Sequence, residues 1–583
     1  MTTLSAAVAS SSPVVTPEPA SARHMLGPAW HRRVHGVDVL KLKGSFREMG
    51  HQHGTLLRDR VATGPIPYYQ DFAHRLMGRS LGRLTPVVMT GIQQLIGRRV
   101  AKALPPYAVE TIEGLAAGAG LPLQDFVDGC TMPDSLIWLA ARLMQIKMRG
   151  PAVRHRLALG LGCTSAIAWG EATVDGKLYH ARNFDYYGVG NWPSHTAVIF
   201  HEPNDGQRYV SVAAAGVGLG GVTAMNESGL SLTVHQHMFT DATRLGGTPI
   251  GVVGDVVMRH ARNLDDAQRI LSAHRHIGCW TYLVTDAHRK EVLCWEENPD
   301  RQAPRRIGAG ENTFGYANIY LDEELGSTEQ NLYGSYWRHN QGRHQRTNQL
   351  LAEKRGNLDV EGLAGILADR GHARCRVADS IGMVMTVGSV VFRPEDGVVW
   401  VGAGEAPTSR GTFVPFSLRN EDHDPTERTF VVDDGETEAQ RAAFDAFRQA
   451  YIAYIDENDT PAARAHVERA AALCPDQPVY HTLSGLFALS LRDANSAERA
   501  FTTALSLGHP HEERVASFHL WRARARDVLG ARAEALKDYR AALAHHADGP
   551  VHQAARWGLT LPYTAGRCDR IHVDVALADV ISP

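Results

Sequence analysis

Between residues 163 and 401 the chain is a succession of short apolar runs broken by turn signals, and that pattern commits it to antiparallel sheet. Runs at 197–200 and 208–213 flank Asn204-Asp205-Gly206, and runs at 222–225 and 230–235 flank Asn226-Glu227-Ser228-Gly229. Two more pairs, 280–284 with 291–295 and 383–392 with 398–401, repeat the arrangement. The stretches 249–274 and 343–367 carry helical periodicity instead. Sheets with apolar faces must bury them, so strands, helices and strands in this order suit an α+β fold with helices over two stacked antiparallel sheets. Upstream, residues 37–44 alternate as a strand and Ser45 caps a helix reaching Val61. Helical segments then run to residue 150, with Gly114, Gly118 and Gly120 breaking the pattern where close packing is expected.

Gly162-Cys163-Thr164-Ser165 opens the apolar run Ala166-Ile167-Ala168-Trp169, and Asp175-Gly176 follows as a two-residue hairpin turn. Residues 163–170 and 177–184 are then expected to pair antiparallel, which returns Arg182 and Asp185 to the side of Cys163. A thiol, a guanidinium and a carboxylate at one end of a hairpin are the parts of a nucleophilic site. A thiol with a pKa near ~8.5 needs a base at neutral pH, and no His-x-Cys arrangement near residue 163 supplies one.

Gly162-Cys163-Thr164-Ser165, Ala181-Arg182-Asn183-Phe184-Asp185, Met225-Asn226-Glu227-Ser228-Gly229-Leu230, Tyr316-Ala317-Asn318 and Arg343-His344-Gln345-Arg346 occur in this order. Together they resemble the autoproteolytic N-terminal-nucleophile (Ntn) hydrolases related to acyl-coenzyme A:6-aminopenicillanic acid acyltransferase, and more distantly the choloylglycine hydrolases. The resemblance runs from about residue 37 to about residue 418 and departs at Ile319, where the family is expected to carry histidine.

That resemblance implies a four-layer αββα sandwich whose precursor cuts itself between Gly162 and Cys163. Residues 35–162 become a mainly helical light chain, and 163–420 are the catalytic core. Attack of the Cys163 thiol on the Gly162 carbonyl gives a thioester that water opens. Glycine suits the position because it puts no Cβ on the attack path. The freed α-amine, with a reference pKa of roughly 7.7 to 8.0, then serves as the base. Asp185 is expected to hold that amine, and Arg182 to favour thiolate. Asn226 and Asn318 are expected to offer amide donors to an oxyanion, and Arg343 to order the site or meet an anionic group. The implied activity is a cysteine amidohydrolase or acyltransferase acting on non-peptide amides or thioesters, with no cofactor and with a coenzyme A thioester as a possible acyl donor. Its partners are then a small-molecule acyl donor and an amine acceptor.

The remaining composition narrows the setting. Lys+Arg of 60 against Asp+Glu of 63 gives a net charge of −3, which offers no general attraction to nucleic acid or to an anionic membrane. Cys130, Cys163, Cys279, Cys294, Cys375, Cys474 and Cys568 form no C-x-x-C pair and are odd in number, so a reducing, cytoplasmic location is expected. His235 and His237 share a strand face as metal ligands would, but no third ligand has diagnostic spacing. They are expected to line or flank the substrate cleft. Residues 1–34 read as a disordered tail, and no apolar stretch is long enough to span a membrane.

A charged linker, 421–440, leads to a repeat. Ala463-Val467-Ala470, Ala497-Phe501-Ala504 and Ala535-Tyr539-Ala542 share the form A-x-x-x-[large apolar]-x-x-A and recur at intervals of 34 and 38 residues. The first interval is the tetratricopeptide period, so 441–560 are expected to form a tetratricopeptide-like helical array, packed independently, with 561–583 as a C-terminal tail. Such an array suits a protein partner or self-association. It also leaves open the alternative of a repeat-based interaction scaffold with an inert Ntn-like domain.

Overall fold

The computed structural model describes residues 21–81, 85–145, 162–237, 240, 242–330, 334–371, 380–547 and 549–580. Its ten-stranded sheet runs in the order His24–Leu26, Ala29–Val34, Val37–Gly44, Thr196–Pro203, Tyr209–Ala214, Thr223–Asn226, Leu230–His237, Cys279–Asp286, Glu291–Glu297, Gln302–Ile307. All neighbours in it are antiparallel except Val37–Gly44 with Thr196–Pro203. An eight-stranded sheet runs Thr313–Ala317, Gly162–Ala168, Tyr179–Asp185, Thr386–Arg393, Val398–Ala403, Thr412–Ser417, Asp422–His423, with Phe430–Val431 also pairing to Thr412–Ser417.

Alternation along these strands gives each sheet an apolar face that meets the other. Val39, Val198 and Phe200 of the first share a buried core with Val390, Phe392 and Val399 of the second. Leu283, Val292 and Cys294 likewise meet Ile167, Phe314 and Tyr316. Helices take the opposite faces. Helices Phe46–Leu56 and Pro106–Ala119 pack on Leu40, Ala197 and Ile199. Helices Val252–His260 and Leu264–Ala273 pack on Leu232 and Tyr282. Helices Gly334–Glu353 and Val360–Ala368 pack on Ala166, Ala181 and Trp400.

Ser45 forms a capping box with Glu48 at the start of Phe46–Leu56. Gly114 and Gly118 do not break Pro106–Ala119; they let it touch the neighbouring helix backbone to backbone. A Cβ on Gly114 would lie 2.1 Å from the Arg47 carbonyl oxygen, and one on Gly50 would lie 2.2 Å from that of Thr111.

Several expectations change. Residues 24–34, assigned to a tail over 1–34, are two strands at the edge of the larger sheet, because Ala29, Trp30 and Val34 supply buried side chains. The hairpin that opens with Gly162 has its expected partners, but the two-residue turn is a longer connection containing the short helix Gly170–Ala172. The helical stretch expected over 343–367 is two helices, Gly334–Glu353 and Val360–Ala368, the second capped by Asp359. Linker residues Asp422–His423 and Phe430–Val431 are sewn into the smaller sheet.

Among the described residues seven α-helices follow, from Glu438–Ile455 to Gly549–Thr560, each packing on the next. The repeat positions Val467, Phe501 and Tyr539, with their flanking alanines, are buried. The region is not separate from what precedes it: Val189, Met383, Met385 and Val387 share one core with Phe444, Phe447, Tyr451 and Leu483. Nor is 561–583 a loose tail, since Cys568, Ile571, Val573 and Leu577 belong to the same core. Arg370 and Arg410 both pair with Glu436 across the junction, and Ser335 donates a hydrogen bond to Asp579.

Candidate active site

The register of the first hairpin places Gly162 opposite Asp185 and Cys163 opposite Phe184, with Ser165 opposite Arg182. Arg182 therefore points back along the inter-sheet face toward Cys163. Its Nη2 donates to Cys163 Sγ at 3.3 Å and to the Val234 carbonyl at 2.9 Å, while Nη1 donates to Thr223 Oγ1. The Phe184 ring lies 4.8 Å from its guanidinium carbon. Cys163 is buried, and burial pushes its thiol up while Arg182 opposes the shift.

The backbone of Cys163 is held as firmly as its sulfur. Its N–H donates to Asn318 Oδ1 at 2.7 Å, and Asn318 Nδ2 donates to the Gln236 carbonyl at 2.7 Å. A backbone N–H can only donate, so the contact also fixes which way the amide points. Asn318 thus turns its oxygen, not the expected donor, toward Cys163. Arg343 Nη1 reaches the Cys163 carbonyl at 2.9 Å and Thr164 Oγ1 at 2.8 Å. Its Nη2 reaches Asn318 Oδ1 at 3.0 Å and Asn340 Oδ1 at 2.7 Å. Arg343 is a buried cation clamping the nucleophile's strand, and the helix Gly334–Glu353 presents it from the outer side of the sheet.

Asp185 is fully buried at the end of the same hairpin. Thr386 Oγ1 donates to its Oδ1 at 2.6 Å, while Oδ2 has no hydrogen-bond donor among the described residues and lies 3.8 Å from Arg343 Nη1. Burial raises this carboxyl and Arg343 pulls it back. A Cβ on Gly162 would fall 3.1 Å from both Asp185 Oδ2 and Arg343 Nη2, so glycine is what the space admits. Leu161, which precedes it in the chain, lies outside the described residues.

Four of the six residues expected to assist or form the site therefore surround a fifth: Arg182, Asp185, Asn318 and Arg343 around Cys163. Asn226 does not. Its Nδ2 donates to the Met258 and Ala261 carbonyls, and its Oδ1 accepts from the Leu230 N–H at 3.0 Å. It closes a turn and caps a helix, and every polar atom of its amide is spent there. His235 and His237 also face away from the cleft. His235 Nε2 meets Ser165 Oγ at 2.9 Å between the sheets, and His237 stacks on Tyr320 and pairs with Glu329 at 3.1 Å. Val234 and Gln236, on the alternate face, are the ones that line the cavity. Among the described residues no group of three or more His, Cys, Asp or Glu side chains is placed to hold a metal ion.

Cys163 opens on a cavity of about 250 Å³ whose walls are almost entirely apolar. Tyr69, Phe72 and Met132 come from the N-terminal helices, Trp280 from the larger sheet, and Tyr186 and Trp192 from the connection between strands Tyr179–Asp185 and Thr196–Pro203. Thr386, Asn340 and this wall escaped the sequence reading. Asn340 stands one helical turn before Arg343, a spacing that could have suggested it; Thr386 carries no such local signal.

Residues 172–406 match the family model described as acyl-coenzyme A:6-aminopenicillanic acid acyl-transferase, a span that holds Arg182, Asp185, Asn318 and Arg343 and begins after Cys163. An uncharacterized protein of Archaeoglobus fulgidus is 24% identical over 359 residues, which are 56% of this chain and 56% of that protein. Protein dcd1B of Dictyostelium discoideum is 27% identical over 188 residues, 30% of this chain and 33% of that protein. The chain thus spans about half the length of the first relative and a third of the second. Among solved structures, the N-terminal domain of stress-induced protein-1 (STI-1) from C. elegans is 14% identical, with 21% of this chain and 98% of that chain covered and a TM-score of 0.20.

Proposed function

We propose that this chain is a self-processing cysteine amidohydrolase or acyltransferase of the Ntn type, with an αββα catalytic sandwich and a C-terminal tetratricopeptide-like array. The observation that carries the reading is that one residue, Cys163, has both its nitrogen and its sulfur held by side chains at the end of an apolar cavity. The family-model match supports an acyl-transfer class. The scaffold alternative is not favoured, because Arg182, Asp185, Asn318 and Arg343 converge on Cys163.

In processing, the Cys163 thiol loses its proton and Sγ bonds to the Gly162 carbonyl carbon, while the Gly162–Cys163 C–N bond breaks and the nitrogen takes up a proton. Water then opens the thioester, leaving a carboxylate on Gly162 and an α-amine on Cys163. The amine stays on Asn318 Oδ1 and gains the free Asp185 Oδ2 as its second acceptor, which gives that buried oxygen a purpose. In turnover the amine takes the thiol proton, Sγ attacks the substrate carbonyl, and the leaving amine or thiol departs with that proton. Water or an acceptor amine then releases the acyl group. Arg182 favours the thiolate by its charge and its hydrogen bond. Arg343 holds the strand so that the carbonyl of Cys163 cannot swing into the reaction path. Asn226 is committed elsewhere and Asn318 presents oxygen, so neither amide donates to the oxyanion in this arrangement. A coenzyme A thioester remains a candidate acyl donor, and no resident cofactor enters the scheme.

Denaturing mass spectrometry of the purified chain tests this directly. Two fragments divided between Gly162 and Cys163 are expected, and Cys163→Ala is expected to stay intact. An intact wild-type chain with full activity would exclude the α-amine base.

A further inference from the structure

Between Asp71 and Glu110 the sequence carries no acidic residue, yet it holds Arg75, Arg79, Arg83, Arg98, Arg99 and Lys102 in a chain whose net charge is −3. Within this span the helical run from Thr85 to Ala101 has two unlike faces. Met89, Ile92, Ile96 and Val100 are buried against Ala73, Met132 and Ile277. The outward face carries Val87 at 72% exposure and Leu95 at 70%, the two most exposed large hydrophobic side chains among the described residues. Arg98, Arg99 and Lys102 are exposed just beyond them. Apolar side chains bordered by exposed cations on one helical face are what an anionic bilayer surface selects: the apolar groups enter the headgroup boundary and the cations meet lipid phosphate and carboxylate.

We propose that residues 85–102 form a docking face for an anionic lipid surface. The occupant is a bilayer rather than a protein because of what lies beneath the face. Ala73 and Met132, which seat the buried side of this helix, also line the cavity at Cys163. Beneath the outward face lies the helix itself, and Ala73 and Met132 separate its buried side from an apolar chamber fit for an acyl chain, so docking would bring lipid-borne acyl groups close to that chamber. This use of the surface rests on the reading of Cys163 given above; the docking itself does not. No described helix is long and apolar enough to cross a membrane, so the contact is peripheral.

The test is cosedimentation of the full-length Cys163→Ala chain with vesicles of phosphatidylcholine alone or with about 30% phosphatidylserine, at about 0.1 M and about 0.5 M salt. Using that variant separates docking from catalysis. Binding is expected to the anionic vesicles only and to weaken at the higher salt. Val87→Asp with Leu95→Asp, and separately Arg98→Glu with Arg99→Glu, are each expected to weaken it by about tenfold or more. Trp557→Asp, an exposed site on the last helix of the array, is expected to bind like the parent. Val87→Ser with Leu95→Ser guards against misfolding, with thermal melts alongside. Absence of binding to anionic vesicles would overturn the proposal, as would equal binding by the folded double variants. A dimer in light scattering that Val87→Ser with Leu95→Ser disperses, with vesicle binding unchanged, would overturn it in favour of a protein interface.

Discussion

Around Cys163 the chain converges through polar atoms, and around the C-terminal helices it converges through apolar ones. Arg182, Asp185, Asn318, Asn340, Arg343 and Thr386 come from four separate stretches of the chain. They are joined by hydrogen bonds to one strand end, to one another and, through Arg182 and Asn318, to Thr223, Val234 and Gln236 of the larger sheet. Phe444, Phe447, Tyr451 and Leu483 instead press on Met383, Met385 and Val387. Thr386 sits between Met385 and Val387, so the same short segment that orients Asp185 is the floor on which the helical array packs. Directional contacts define a site, and nondirectional burial fixes the segment that carries it.

The harshest way to break this comparison is to remove residues 436–583. The repeat spacing alone suggests a separable unit, but the shared core predicts that the shortened chain exposes Met383, Val384, Met385 and Val387 and aggregates. Soluble yield and processing measured together decide it. A soluble, processed truncation would mean that the array is an appendage.

Next in size is Arg343→Ala. This leaves Asp185 buried with its nearest countercharge gone and removes the clamp on the Cys163 carbonyl. Breaking a buried pair in this way costs about 3–5 kcal/mol, so a lower urea midpoint and no processing are expected. Arg343→Lys keeps the charge but cannot span Cys163, Thr164, Asn318 and Asn340 at once, and should recover stability more than processing. Full processing by the folded alanine variant would reduce Arg343 to a structural ion.

The hairpin was legible because its parts are local: Gly162-Cys163 and Arg182 through Asp185 lie on neighbouring strands, and alternation sends Arg182 and Cys163 to one face. Arg343 was legible as a motif but not as a buried cation, since a helix sequence rich in Gln, Arg and His reads as solvated until a sheet is laid beneath it. Asn226 misled for the opposite reason. It sits in a turn sequence and looks free at a loop tip, yet the helix ending at His260 arrives from elsewhere and takes both its donors. The cavity wall was illegible altogether, because its helices and strands are apolar for burial and for binding alike. The strands at 24–34 escape a reading that extends the tail past its own composition, since His24 to Val34 hold no Ser or Thr and carry Trp30, His31, Arg32 and Arg33.

The two asparagines sharpen the comparison on a smaller scale. Asn318→Ala removes the acceptor that holds the Cys163 nitrogen and should slow processing and turnover by about 100-fold with modest change in KM. Asn226→Ala should lower stability by about 1–3 kcal/mol, since the Leu230 N–H and two carbonyls lose a buried partner, and should leave kcat of the folded fraction unchanged. If Asn226→Ala proves the more damaging to kcat, the turn must be coupled to the site by a route other than contact.

The effect farthest from the chemistry, and one that only a pH series reveals, lies in the helix Leu123–Gln145, behind the cavity wall. Asp134 is fully buried; its Oδ2 accepts from the Ile250 N–H at 3.2 Å and its Oδ1 has no donor among the described residues. Burial raises this carboxyl to about 7, with the Ile250 hydrogen bond and His276 opposing. The folded protein then keeps a proton that the unfolded chain gives up above about pH 4. Its contribution to stability is full below that pH, falls as pH rises to about 7, and stays lost above. His180, lowered to about 3 by burial between the sheets, acts in the reverse sense: it must remain neutral, so its share is lost as pH drops from about 6.5 toward 3. The slopes oppose each other in the overlap, and only a difference measurement isolates Asp134. Asp134→Asn is expected to cancel one of them, matching the wild type near pH 4 and exceeding it by a few kcal/mol in urea melts at pH 8, since each tenfold change in proton affinity is worth ~1.4 kcal/mol. A constant difference between the two proteins from pH 4 to 8 would mean that Asp134 is already ionised in the folded chain and that His276 neutralises it.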